Sequence, residues 1–286
     1  MSRRAIIGWD DTDAARNALD WALRWWGAED VELVTVGTRD ESSAEYFVAG
    51  SLAAEARIRL MDAAEQVRES HPDTSISSRF ELGDPVEVLA GLSSADTCVV
   101  LGTNRSGEAP FRFAWSVATK VAATAVGPVV IVPTFVDDPR TSVQQIVVAV
   151  DGSIGELELV RIAAEEAERT RCGLTVLHAW TPPIWESEDV LDRDMLQWLA
   201  QEHARLLDAT VADVAASHPT VTIAKQLIED EPGPAITAVA RSAQLLVLGR
   251  YGVSRLRRLF LGSVSHTVLL DIPAPTLVLP LGVPER

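Results

Sequence analysis

Gly249 and Gly252 are followed, after nine further residues, by Gly262 and Ser263. Glycine has no Cβ, so backbone N–H groups at such positions can come close to a ligand. Four arginines lie inside this run (Arg250, Arg255, Arg257 and Arg258), with no acid among them. The whole chain carries a formal charge of -16, so a local cationic stretch is informative. Backbone N–H groups, guanidinium groups and a serine hydroxyl are the donors that a polyphosphate needs. One carboxylate, Asp151, stands directly after an apolar β-branched run. It is too acidic to face phosphates alone. It fits as an acceptor for a base amino group or a ribose hydroxyl, or as a partner of bound Mg²⁺.

These residues belong to the second copy of an internal repeat. An offset of 147 aligns His71-Pro72 with His218-Pro219, Val100-Leu101-Gly102 with Val247-Leu248-Gly249, and Ser116-Val117 with Ser263-Val264. Between His71 and Pro133 it yields 13 identities in 63 ungapped positions, well above chance for one register. Upstream the offset is 141, pairing Asp10 with Asp151. The chain therefore reads as two copies of one domain, residues 1–137 and 144–286, with a polar linker containing Asp137-Asp138-Pro139-Arg140.

Each copy alternates strand and helix signals. The strands expected are residues 5–9, 31–36, 76–80, 97–101 and 129–132 in the first copy. In the second they are residues 146–150, 174–180, 221–228, 245–248 and 276–279. Helices are expected at 157–169, 192–216 and 263–270, with another opened by Pro232. Alternation of this kind gives a parallel sheet covered by helices on both faces. Ligands of such sheets sit at the carboxyl ends of the strands, where strand order reverses. Asp151 and Gly249 both end strands, so the switch point would bring them together. A helix starting at Ser263 would aim its N–H groups at phosphate oxygens.

The spacing Gly-x2-Gly-x9-Gly-Ser after a Val-Leu-Gly strand end, with Val-Ala-Val-Asp-Gly-Ser at the first strand, resembles the universal stress protein family in its tandem form. The resemblance covers essentially the whole chain. It implies two open five-stranded Rossmann-like α/β domains, joined through their last strands as an intrachain pseudo-dimer. It also implies ATP, with Mg²⁺, as the ligand. Asp151 would lie at the adenine or ribose and the Ala179 backbone beside adenine, while Gly249, Gly252, Gly262, Ser263 and Val264 would surround ribose and phosphates. Pairing of two such chains into a homodimer is a further expectation.

The first copy departs from this pattern. Asp10, Gly102 and Ser116 are kept, but Arg105 stands where the second copy has Gly252, and Trp115 where it has Gly262. A tryptophan puts a large ring where backbone must approach phosphate. ATP is therefore expected mainly in the second domain. Among the other candidates, His178 reads as a packed or hydrogen-bonded strand residue and His203 as a helix-face residue. Trp21, Trp25 and Trp26 fall at helical spacing and read as packing, as does Trp180.

Composition excludes several classes. Through Arg140 there are 13 basic and 22 acidic residues, and 12 and 19 after it, so both halves are acidic. Nucleic-acid binding through the phosphate backbone is not expected. No apolar stretch approaches the ~20 residues of a membrane span. Two cysteines, Cys98 and Cys172, make no disulfide framework, which suits a cytoplasmic protein. No Gly-Lys-Ser/Thr, Gly-x-Ser-x-Gly or His-Glu-x-x-His is present, and no catalytic residue is assigned. The leading reading is an ATP-binding regulator of the stress response, with protein partners of unknown identity. A slow ATPase or nucleotide transferase in the same cleft, and a ligand-free scaffold, are the two competing readings.

Overall fold

The computed structural model describes residues 4–37, 46–104, 116–134, 144–153, 155–182, 193–251 and 263–281. The chain divides into two units, Met1–Val136 and Asp137–Arg286. In the first, the order is β1 (Arg4–Gly8), α1 (Asp13–Trp21), β2 (Asp30–Gly37), α2 (Tyr46–Ser70), β3 (Ser75–Leu82), α3 (Pro85–Gly91), β4 (Thr97–Asn104), α4 (Val117–Thr124) and β5 (Val129–Thr134). Its strands lie in the order β3-β2-β1-β4-β5, and each neighbouring pair is parallel.

The second unit repeats the plan. It runs β6 (Gln145–Val150), α5 (Glu156–Thr170), β7 (Gly173–Trp180), α6 (Arg193–Ser217), β8 (Ile223–Glu229), α7 (Pro232–Ala240), β9 (Leu245–Tyr251), α8 (Ser263–Leu270) and β10 (Thr276–Leu281). The strand order is β8-β7-β6-β9-β10, again all parallel. Strand order reverses at β1/β4 in one unit and at β6/β9 in the other, as the alternating pattern requires.

The central strands are apolar along their whole length because both faces are covered. Val147, Leu177, Leu246 and Leu248 pack under Ile236 and Ala240 of α7 and Val268 of α8, all buried. Each fully buried side chain of this size stabilises by about 1.5–3 kcal/mol. Helix starts follow local chemistry. Asp84 caps α3, accepting from the N–H groups of Val86 at 2.8 Å and Glu87 at 3.0 Å, with Pro85 in the first turn. Thr12 caps α1 through the N–H of Ala15 at 3.3 Å.

Two details differ from the sequence expectation. The last strand of each unit continues past its proline, so Pro133 pairs with Thr103 and Pro280 with Arg250. In a parallel ladder alternate residues turn their N–H to opposite sides. Val99 N–H reaches the Pro128 carbonyl, which sets the register so that position 133 owes β4 no donor. The second detail is at the tryptophans. After Trp21 the helix widens into a π-helical turn, Ala22–Trp26, closed by Gly27 in the left-handed region at φ 64°. Trp21 stacks on Trp25 and Trp26 with ring centroids 5.3 and 5.9 Å apart. The three rings pack on one another, and the wider turn accommodates them.

Candidate functional site

In the second unit the register Ala149↔Leu248 puts the ends of β6 and β9 side by side. Asp151 therefore lies at the same end as Gly249, one strand away. Gly249 packs closely against leucine side chains distant in sequence. A Cβ there would meet Leu281 Cδ1 at 2.5 Å and Leu159 Cδ2 at 3.5 Å. Its counterpart Gly102 is tighter still, since a Cβ would lie 1.9 Å from the Ala14 carbonyl oxygen. Both glycines let the strand end pack against its neighbours, whatever ligand lies beyond.

Asp151 forms the turn into α5. Its Oδ1 accepts the N–H of Ser153 at 3.1 Å, and Asp10 does the same for Thr12 at 3.2 Å. Gly152 and Gly155 hold the turn open with φ of 84° and 107°, values that L side chains rarely adopt. Ala179 lies on β7 just past the last rung to β6. Gly173 N–H bonds toward β6 and Leu174 N–H toward β8, so odd-numbered residues of β7 turn their polar edge to β6. The Ala179 carbonyl therefore points into the space beyond Val150, where it could accept from an amino group.

Ser263 is exposed at the first position of α8, and Ser265 Oγ donates to the Gly249 carbonyl at 3.2 Å, tying the helix start to β9. Val264 packs against the buried cluster under α7 and α8, which leaves its N–H as its contribution to any site. Gly252, Gly262, Arg255, Arg257 and Arg258 lie outside the described residues, as do Arg105 and Trp115 in the first copy. Arg250 is buried on β9, only 7 % exposed.

One residue acquires a role that the sequence reading did not assign, and two others gain specific partners. Glu156, the first residue of α5, is 4 % exposed. Its Oε1 accepts the N–H groups of Asp151 and, at 2.6 Å, Gly152. Burial, and then a hydrogen bond with the Asp151 carboxyl, push its pKa up to about 7, against the two backbone N–H groups that favour the charged form. The only signal in the sequence is a contrast between copies, because the offset of 141 puts Ala15 at this position in the first domain.

The other two are histidines. His178 Nδ1 bonds the Val150 carbonyl at 2.8 Å, and His178 Nε2 bonds His203 Nδ1 at 2.8 Å. A carbonyl only accepts, so His178 carries its proton on Nδ1, and neutral His178 accepts from His203. Burial and then the neighbouring His178 lower the His203 pKa, which favours the neutral form of His203. Trp180 stacks on His203 with centroids 4.4 Å apart. In the first domain Thr35 does the work of His178, its hydroxyl donating to the Trp9 carbonyl at 2.7 Å. His178 is thus a tie between β6, β7 and α6. His178→Ala should cost about 2 kcal/mol, seen as a lower urea midpoint at unchanged m-value. An unchanged midpoint would count against the tie.

The model of the universal stress protein family matches residues 1–133 and again 142–280. The chain belongs to the universal stress protein family. A universal stress protein of Mycobacterium tuberculosis is 30 % identical over 203 residues, 68 % of this chain and 62 % of that one. Only that part of the relative's length is matched. A second universal stress protein of the same organism is 27 % identical over 289 residues, covering 96 % of this chain and 95 % of its own. Among solved structures, a universal stress protein from Archaeoglobus fulgidus superposes with a TM-score of 0.70 at 19 % identity, covering 98 % of this chain and 99 % of that one. Solved family members holding a nucleotide include one with cAMP and one with dAMP, at TM-scores of 0.38 and 0.35. Those ligands belong to those proteins.

The family plan, two Usp domains in tandem, thus accounts for the repeat and for the α/β architecture of each unit. Among the described residues no helix is long and apolar enough to cross a membrane. Both cysteines are buried thiols, Cys172 donating to Gln244 Oε1 at 3.2 Å.

Proposed function

We propose that this universal stress protein is a nucleotide-dependent regulator that holds ATP in its second domain. The observation that carries the reading is the convergence at the β6/β9 switch point. There Asp151, Ala179 and the N-terminal end of α8 lie at one end of the sheet. In this reading Asp151 takes a ribose hydroxyl, and the Ala179 carbonyl takes the adenine amino group. The N–H groups of Ser263 and Val264, with Gly249, Gly252 and Gly262 as the approach, hold phosphate. These donors and acceptors fit the chemistry of ATP. A divalent cation such as Mg²⁺ would be held chiefly by the phosphates, with Asp151 as the carboxylate within reach.

Glu156 refines the assignment. Its carboxyl already occupies the N–H groups of the β6–α5 turn, so that turn takes no phosphate. Phosphate binding falls to the α8 side, where Arg250, Arg255, Arg257 and Arg258 lie in sequence. A regulatory role is favoured over fast hydrolysis because no base or water-positioning residue is assigned.

Titration of the full chain with ATP should give one site per chain. Two equivalent high-affinity sites would refute the asymmetry, and no binding at all would refute the reading. Nucleotide released on denaturing freshly purified protein, identified by mass, would show which one the site selects.

A further inference from the structure

Glu156 places a carboxyl where the turn after β6 otherwise offers a phosphate its donors. Two successive backbone N–H groups, from Asp151 and Gly152, donate to one oxygen of Glu156. Successive N–H groups in a turn, here with Gly152 at φ 84°, make a ready anion site. In this chain the anion is built in. Glu156 is the first residue of α5, and Gly155 before it has no side chain to cap the helix. The Glu156 carboxyl reaches back past the helix start into the turn, and the residue is left 4 % exposed.

The same carboxyl is hydrogen-bonded to that of Asp151. Such a bond needs a proton, so the pair carries one negative charge with it and two without. Apolar side chains back the turn. A Cβ on Gly152 would lie 3.6 Å from Leu206 Cδ1 of α6, and one on Gly155 would lie 3.7 Å from Leu281 Cβ of β10. The first copy has no such carboxyl, because the offset of 141 puts Ala15 at this position. The carboxyl pair therefore belongs to the second domain and not to the shared fold.

We propose that Glu156 makes the second domain selective for nucleotides whose ribose hydroxyls are free, and rejects those that carry a phosphate on the 2′ or 3′ oxygen. This rests on the ATP reading of that domain, in which Asp151 takes a ribose hydroxyl. Esterifying that hydroxyl brings a phosphate within hydrogen-bond reach of the turn. Three features then act against it. The two N–H groups that would hold the phosphate are taken, the space beside them is filled by the Glu156 carboxyl, and the charge there is negative. Like charges brought together in this way suppress the wrong ligand. A free hydroxyl meets none of these obstacles, because it donates to a carboxylate.

The test is competition calorimetry on the full chain, in which ATP carrying a further phosphate on its 3′ oxygen displaces bound ATP. The two probes differ only in the ribose phosphate, and displacement reads only the site that ATP occupies. The wild type should bind ATP about a hundredfold or more tighter than its 3′-phosphate. Glu156→Ala frees the N–H groups and the space and removes one carboxyl, and should narrow that ratio about tenfold or more. Glu156→Gln keeps the shape and removes only the charge, so its ratio should fall between the two. General damage to the domain weakens both probes and leaves the ratio where it was. Circular dichroism checks that each variant is folded, and Glu156→Gln decides alone if Glu156→Ala is not. A wild type that binds the two probes equally would overturn the proposal and leave the ATP reading standing. So would a ratio unmoved in every folded variant. A chain that binds no ATP at all overturns both.

Discussion

Replacing Gly262 by Trp should abolish the ATP binding proposed for the second domain, with a loss of affinity of about a hundredfold or more, and leave the fold in place. The substitution copies the first domain, where Trp115 stands at the matching position. Backbone N–H groups can hold a phosphate only if its oxygens come within about 3 Å, and an indole ring at that point prevents the approach. A hundredfold change corresponds to about 2.7 kcal/mol, the scale of one or two lost hydrogen bonds to a charged group and smaller than a typical fold stability. The fold should survive because the position precedes α8 and lies outside the strands that make the core. Calorimetry with ATP measures the affinity, and thermal unfolding checks the fold. Unchanged affinity in a folded variant would show that the glycine loop does not carry the phosphates.

The second large effect is on stability against pH. Glu156 titrates near 7 in the folded chain, against an ordinary 4.5, because it is buried and shares a hydrogen bond with the Asp151 carboxyl. The unfolded chain gives up this proton near 4.5, whereas the folded chain keeps it until about 7. Between those values the native state binds more protons than the unfolded state, so stability falls as pH rises. The full stability is present below 4.5 and is eroded up to about 7. At roughly 1.4 kcal/mol per pKa unit the loss is on the order of 1–3 kcal/mol by pH 8. Glu156→Gln keeps an acceptor for the two backbone N–H groups and can donate to Asp151, but it does not ionise. It should therefore match the wild type near pH 4.5 and exceed it at pH 8. Urea unfolding of both proteins across this range reads the difference. Parallel curves would show that Glu156 is charged throughout and that the carboxyl pair does not share a proton.

Glu156 also shows how a tertiary contact can alter a site that a motif describes. Asp10 and Asp151 occupy the same turn and make the same bond to the residue two positions on. One of them faces an open cleft lined by Ala15, and the other meets a second carboxyl. Two domains with one fold and one shared aspartate can thus present different chemistry to a ligand.

The architecture was legible because its signals are local or periodic. Apolar runs such as residues 146–150 belong to strands covered on both faces, and the strand-helix alternation leaves few arrangements open. The repeat, at offsets 147 and 141, is likewise a property of the sequence alone, and it singled out Gly249, Ser263 and Asp151, whereas Ala179 came from the family resemblance. The tertiary structure decided what depends on atoms distant in sequence. Gly102 is required by the backbone carbonyl of Ala14, 88 positions earlier, and Gly249 packs against Leu281, 32 positions later. His178 is tied because His203 arrives from α6 at 2.8 Å. Glu156 makes a local contact that periodicity also misses, its carboxyl folding back on the N–H groups of Asp151 and Gly152, five and four positions earlier. Hydrophobic periodicity reports which face of an element is covered. It carries no information on which polar atoms meet beneath that cover, and there the short range of hydrogen bonds and packing makes a few tenths of an ångström decisive.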